Sequence, residues 1–356
     1  MSSKIAVQRS GQAATIGGIE QDFVQAMSAS GLRTVAMRRL ICIALWLVLP
    51  LAAARTPETP ARGPLLEPAA LASLIKQSSV RVIDIRDGRN AQGKTPYDVG
   101  HIPGAIDAPY RFWRGPDKAP GRMRDQDYLG ELVQRLGVER DTLAVVVFEG
   151  RDFTDFGAAA RVYWTLRYIG VEHVAILNGG MRAWRAANLP VDNADVKIVV
   201  SDFDPHPQAQ LVATRDQVQK LLGQPKAHLL DARPKDYFTG DTASPLAKRP
   251  GTIAGASNFD SDFWFRDGSA VMLPVAELRA LAEKNGLIDD GTTVSFCNTG
   301  HWAATNWFVL SELLGEKDVK LYPESMVDWS ATDLPMDNVP PRGEQLWLQL
   351  KAALAH

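Results

Sequence analysis

Within this chain of 356 residues, the segment Cys297-Asn298-Thr299-Gly300-His301-Trp302 holds the residue types best suited to covalent chemistry. It follows the short apolar run Thr292 to Phe296, which reads as a buried strand, and leads directly into a helical pattern from Ala303. A short loop between a strand end and a helix start turns several backbone N–H groups into one concavity, and the helix dipole adds positive potential there. Such a cup binds an anion and favours thiolate over thiol, so Cys297 is expected to act as a nucleophile. A cysteine after an apolar strand is commonly an inert core residue; here the loop that follows it argues for reactivity. Cys42, the other cysteine, lies in a segment expected to be removed, which leaves one thiol and no internal disulfide.

The elements that position this loop occur twice. Val82-Ile83-Asp84-Ile85-Arg86 answers to Leu229-Leu230-Asp231-Ala232-Arg233, and His101-Ile102-Pro103-Gly104-Ala105 to Thr252-Ile253-Ala254-Gly255-Ala256. Leu143 to Phe148 pairs with Thr292 to Phe296, and Gly179-Gly180-Met181-Arg182-Ala183-Trp184 with Glu324-Ser325-Met326-Val327-Asp328-Trp329. The unit is roughly 150 residues, a normal domain size. Within each unit, short β-branched runs alternate with helical patterns such as Gly157 to Ile169 and Ala303 to Leu314. The expected fold is α/β, each unit an open parallel sheet with helices on both faces and ligands beyond the carboxyl ends of the strands.

In this order and duplicated, these motifs resemble the tandem-domain rhodanese family of thiosulfate and 3-mercaptopyruvate sulfurtransferases. The likeness spans about Leu66 to Val339 and rests on the six-residue Cys297 to Trp302 loop, the two Asp-x-Arg strand ends, the His101 to Ala105 element and the Gly179 to Trp184 element. It implies an inactive first rhodanese-like domain (66–197) and a catalytic second one (198–339), followed by a tail (340–356). It further implies that Cys297 takes the outer sulfur of an anionic donor such as thiosulfate as a persulfide, then hands it to cyanide or a thiol. Arg233 matches the family's substrate-binding arginine, and Asn298, Thr299, Gly300, His301 and Trp302 form the rest of the expected substrate site. Other readings stay open for Arg233 as a salt bridge to Asp231, for His301 as a backbone-bonded loop residue and for Trp302 as packing. In the first repeat Glu149 follows Phe148 where a cysteine would be needed, and its loop reads as longer and acidic. That domain is therefore expected to serve as a packing partner that closes the cleft.

Asn298 and Thr299 follow neither the basic loops common among thiosulfate enzymes nor the Gly/Ser loops of mercaptopyruvate enzymes. A 3-mercaptopyruvate sulfurtransferase, or a non-catalytic sulfur-carrier or redox-sensing module, therefore remains an alternative. A formal net charge of −2 without long basic runs gives no footprint for nucleic acid. The histidines and the remaining cysteine lack metal-ligand spacing, and no cofactor is expected. The basic pair Arg38-Arg39, the apolar run Leu40 to Leu51 and Ala52 to Ala54 read as a signal peptide over 37–54 within an N-terminal extension of 1–54. An exported, periplasmic protein without stable membrane insertion is expected, with 55–65 as a Pro-rich linker. A retained N-terminal anchor is the alternative.

Overall fold

The computed structural model of the protein describes residues 63–345. The expected extension and signal peptide (1–54), the linker up to residue 62 and the tail after residue 345 lie outside the described residues.

The first repeat runs β1 (Leu65–Leu66), α1 (Pro68–Leu74), β2 (Val80–Asp84), α2 (Pro96–Val99), β3 (Ile106–Asp107), α3 (Gln126–Arg135), β4 (Leu143–Val147), α4 (Phe153–Tyr168), β5 (His173–Leu177) and α5 (Gly180–Ala186). Its strands are all parallel, in the order β1-β5-β4-β2-β3. Leu65, expected to close the linker, already pairs with Ile176 in this sheet. The second repeat runs α6 (Arg215–Leu221), β6 (Ala227–Asp231), α7 (Lys235–Thr239), β7 (Thr252–Ile253), β8 (Ser257–Asn258), α8 (Val275–Lys284), β9 (Thr292–Phe296), α9 (Trp302–Trp307), β10 (Val319–Leu321), α10 (Ser325–Trp329) and β11 (Met336–Asp337). Four of its strands form a parallel sheet, β10-β9-β6-β8, while β7 and β11 pair antiparallel beside it. Every residue of β4 is buried, as in a parallel sheet covered on both faces.

Helices α4 and α9 pack together across the seam between the repeats. Helix α4 is buried without interruption from Phe156 to Leu166, which explains why its sequence is apolar on nearly all sides. Phe156 and Tyr163 set their rings edge-on to Phe308, at centroid distances of 5.8 and 4.9 Å. The helix starts at Phe153, ahead of the expected Gly157, because the Asp152 carboxylate caps it by accepting the Asp155 N–H at 2.8 Å. The expected helix Ala303 to Leu314 is α-helical to Trp307 and then widens into a π-helical stretch over Phe308–Leu313.

Strand register corrects the repeat alignment. Asp84 pairs with Val147 and Asp231 pairs with Phe296, so Phe148, not Glu149, occupies the place of Cys297. With helices starting at Phe153 and Trp302, the two loops have equal length. The extra length expected of the first loop is the opening turn of α4, Phe153 to Phe156.

Candidate active site

Cys297 follows β9 at the carboxyl edge of the second sheet and is 1% exposed. Its Sγ accepts the backbone N–H of His301 at 3.2 Å. The N–H groups of Cys297 and Gly300 both donate to Ser325 Oγ at 3.1 Å, and the Ser325 hydroxyl donates to the Tyr322 carbonyl at 2.7 Å. The carbonyls of Cys297 and Asn298 accept the N–H groups of Met326 and Val327. The loop is thus stitched to the start of α10. Among the described residues no acceptor stands opposite the N–H groups of Asn298 and Thr299.

Two unusual backbone positions make this possible. Ser325 has φ +54°, which costs an L residue about 1 kcal/mol, and its three hydrogen bonds offset that strain. Its counterpart in the first repeat is Gly180, at φ +58°, where a Cβ would meet the Phe148 carbonyl oxygen at 2.4 Å. Gly300, at φ +66°, lies against a guanidinium: a Cβ there would meet Arg161 Nη1 at 2.4 Å.

Arg233 is clamped by Asp231, with Nε to Oδ1 at 2.9 Å and Nη2 to Oδ2 at 2.6 Å, and Nη2 also donates to the Gly251 carbonyl at 2.8 Å. Its Nη1 reaches the loop at Asn298 Oδ1, 3.4 Å away. Arg86 repeats the arrangement with Asp84, Gly100 and Glu149. The Asp-x-Arg motif is therefore a strand-end clamp common to both repeats, with one guanidinium nitrogen left for the loop.

Rhodanese-like domains match this chain twice, over residues 67–187 and 214–332. The chain belongs to the rhodanese-like family. A relative in Synechococcus elongatus, named "Putative thiosulfate sulfurtransferase", is 28% identical over 299 residues, covering 81% of this chain and 90% of that one. The sulfur carrier protein TtuD of Thermus thermophilus is 29% identical over 247 residues, covering 65% of this chain and 83% of its own. Among solved structures, SseA from Escherichia coli, described as a 3-mercaptopyruvate sulfurtransferase, superposes with a TM-score of 0.63 at 26% identity, covering 74% of this chain and 98% of its own. The anaerobic ergothioneine biosynthesis enzyme from Chlorobium limicola shares the fold, with a TM-score of 0.69 at 21% identity over 78% of this chain and 71% of that one.

In this chain the first repeat reaches into the loop of the second. Arg114 Nη1 donates to the Thr299 carbonyl at 3.0 Å and Arg161 Nη1 to the Gly300 carbonyl at 3.1 Å. His301 lies between the repeats: its Nε2 is 2.7 Å from the Thr154 carbonyl and its Nδ1 2.8 Å from the Tyr110 hydroxyl. A carbonyl only accepts, so Nε2 carries the proton and Tyr110 donates to Nδ1. Burial, reinforced by nearby Arg114, pushes the His301 pKa down to about 4 and keeps the ring neutral. Trp302 donates its indole N–H to Thr154 Oγ1 at 3.1 Å and packs between Phe153 and Tyr237. His301 and Trp302, two of the side chains expected to line the donor site, are thus engaged with the first repeat. A cavity of about 430 Å³ lies over the first repeat's loop, lined by Arg86, Tyr110, Phe148, Glu149 and Asp155 together with His301 of the second repeat.

The amides of the first repeat's own loop are already taken. Phe148 stands where the thiol would be, edge-on to Phe156. Asp155 Oδ2 accepts the N–H groups of Gly150 and Arg151 at 2.7 and 3.0 Å, and Glu149 is paired with Arg86 and Arg185. Sequence reasoning did not find Ser325, Arg114, Arg161 or Tyr110. A signal existed for two of them: Ser325 replaces a glycine of the other repeat, and Arg161 interrupts an apolar helix.

Proposed function

We propose that this rhodanese is a sulfurtransferase that moves the sulfane sulfur of thiosulfate to cyanide or a thiol through a persulfide on Cys297. The observation that carries the reading is the buried Cys297 sulfur, which accepts the His301 N–H in a loop where the Asn298 and Thr299 amides face no acceptor among the described residues. The thiolate attacks the sulfane sulfur; a new S–S bond forms, the sulfane–sulfonate bond breaks, and sulfite leaves with the electron pair. Cyanide or a thiolate then attacks the outer sulfur of the persulfide and releases the Cys297 thiolate. The loop amides would hold the departing anion by charge-assisted hydrogen bonds, and Arg233 would add its Nη1 through Asn298. The names of the relatives in Synechococcus elongatus and Thermus thermophilus support sulfur transfer as the reaction class.

Mass spectrometry of the protein after thiosulfate treatment tests the proposal. One extra sulfur atom on the Cys297 peptide is expected, lost on adding cyanide with release of thiocyanate; an unmodified Cys297 under turnover conditions would refute it. The likeness to SseA favours a second reading, 3-mercaptopyruvate as donor. A much higher kcat/KM for that keto acid than for thiosulfate would establish it and leave the persulfide standing. Export belongs to the same proposal, and sequencing of the mature N-terminus checks it.

A further inference from the structure

The first repeat holds two buried cations against the loop of the second. Arg161 is 1% exposed and Arg114 9% exposed, and among the described residues neither forms an ion pair with a carboxylate. Arg161 also leaves its Nε buried without a hydrogen-bond partner. Burying an unpaired guanidinium is costly, and the cost registers here as a pKa lowered to about 10, chiefly by burial and then by neighbouring Arg114. Glu324 lies near enough to favour the charged guanidinium, but among the described residues it makes no ion pair with it.

Arg161 Nη2 donates to the Gly121 carbonyl of its own repeat at 3.0 Å, while its Nη1 is directed at the loop of the second. Arg161 Nη1 donates to the Gly300 carbonyl at 3.1 Å. That carbonyl shares one peptide group with the His301 N–H, which donates to Cys297 Sγ at 3.2 Å. A cation on the oxygen side of a peptide polarises it and strengthens the N–H as a donor. Arg114 acts one peptide earlier: it donates to the Thr299 carbonyl, whose peptide N–H, that of Gly300, donates to Ser325 Oγ. The absence of a side chain at Gly300 is what lets the guanidinium approach this closely.

We propose that Arg161, assisted by Arg114, is a positioning residue by which the first repeat holds negative charge on the Cys297 sulfur, acting through the Gly300–His301 peptide. The proposal builds on the reading of Cys297 as the sulfur-carrying nucleophile. The first repeat then supplies the counter-charge of the thiolate and of the persulfide anion, and it does so without touching the donor.

The test compares two alkylating agents of similar size on the full-length protein, anionic iodoacetate and neutral iodoacetamide, with modification at the Cys297 peptide followed by mass spectrometry. Their rate ratio reports the local field and cancels access to the buried thiol. Arg161→Gln should lower the iodoacetate preference about fivefold or more, Arg161→Lys should retain it within about twofold, and Arg114→Gln should lower it by a smaller factor. An unchanged ratio in folded Arg161→Gln overturns the proposal. Should that variant fail to fold, Arg114→Gln decides, and an unchanged ratio there overturns it as well. Alkylation requires no sulfur donor, so a wild-type protein inert to thiosulfate would refute the proposed activity and leave this test intact.

Discussion

The loops after β4 and β9 have the same length, leave equivalent strands and enter equivalent helices, yet only one carries a thiol, beside amides that meet no acceptor among the described residues. Where the second repeat has Cys297, Asn298, Ala304 and Ser325, the first has Phe148, Glu149, Asp155 and Gly180. In the first, Asp155 takes up the Gly150 and Arg151 amides, so the loop already contains its anion. In the second, Ala304 offers no carboxylate, and Ser325 holds the Cys297 and Gly300 amides with a neutral oxygen. The strand-loop-helix turn supplies donors in both repeats. Whether they serve a ligand depends on a few side chains that either occupy them or leave them open.

Removing the thiol should have the largest effect. Cys297→Ser is expected to lower sulfur transfer by at least on the order of a thousandfold in a thiosulfate–cyanide assay. Phe148→Cys added to that variant should restore nothing, because Asp155 still holds the loop amides; measurable transfer by the double variant would break the comparison. Next comes Ser325→Gly, which gives the second repeat the first repeat's turn. Of the three hydrogen bonds lost, the two to the loop amides, at about 1 kcal/mol each, predict a fall in kcat of roughly thirtyfold with the fold intact by circular dichroism. A kcat unchanged in that variant would show that Ser325 does not organise the loop.

A smaller effect concerns acid. The His301 pKa of about 4 in the folded protein lies below its ordinary value of 6.5, so between these values the unfolded chain binds a proton that the folded one does not. Stability should therefore fall as pH drops through that window, and this group contributes no pH dependence above it. His301→Gln keeps one donor and one acceptor without titrating, and its melting temperature should decline less between pH 6.5 and 4 than that of the wild type. Equal slopes would remove His301 as the acid-sensitive contact between the repeats. The smallest effect is expected for Glu149→Ala, which removes only the loop's ion pairs with Arg86 and Arg185. Thiosulfate kcat/KM should stay within about threefold, since partly exposed pairs contribute little. A loss well beyond that would give the first loop a part in turnover.

The sequence by itself determined the duplicated α/β architecture, because β-branched runs and helical patterns recur in one order and parallel sheets need both faces covered. Cys297 as the residue of interest was equally legible, being the thiol that follows a strand and precedes a helix. Alignment of the loops was not: Phe148 and Phe296 look alike in sequence, and only the pairing of Asp84 with Val147 and of Asp231 with Phe296 placed Phe148 opposite Cys297. The partners of the loop lay further out of reach. Arg114, Tyr110, Thr154 and Arg161 precede it by well over a hundred residues and carry no local pattern that pairs them with it. Strand and helix character arise from neighbours along the chain. The charge and hydrogen bonds around Cys297 depend on how α4 packs against α9, a contact between segments far apart along the chain.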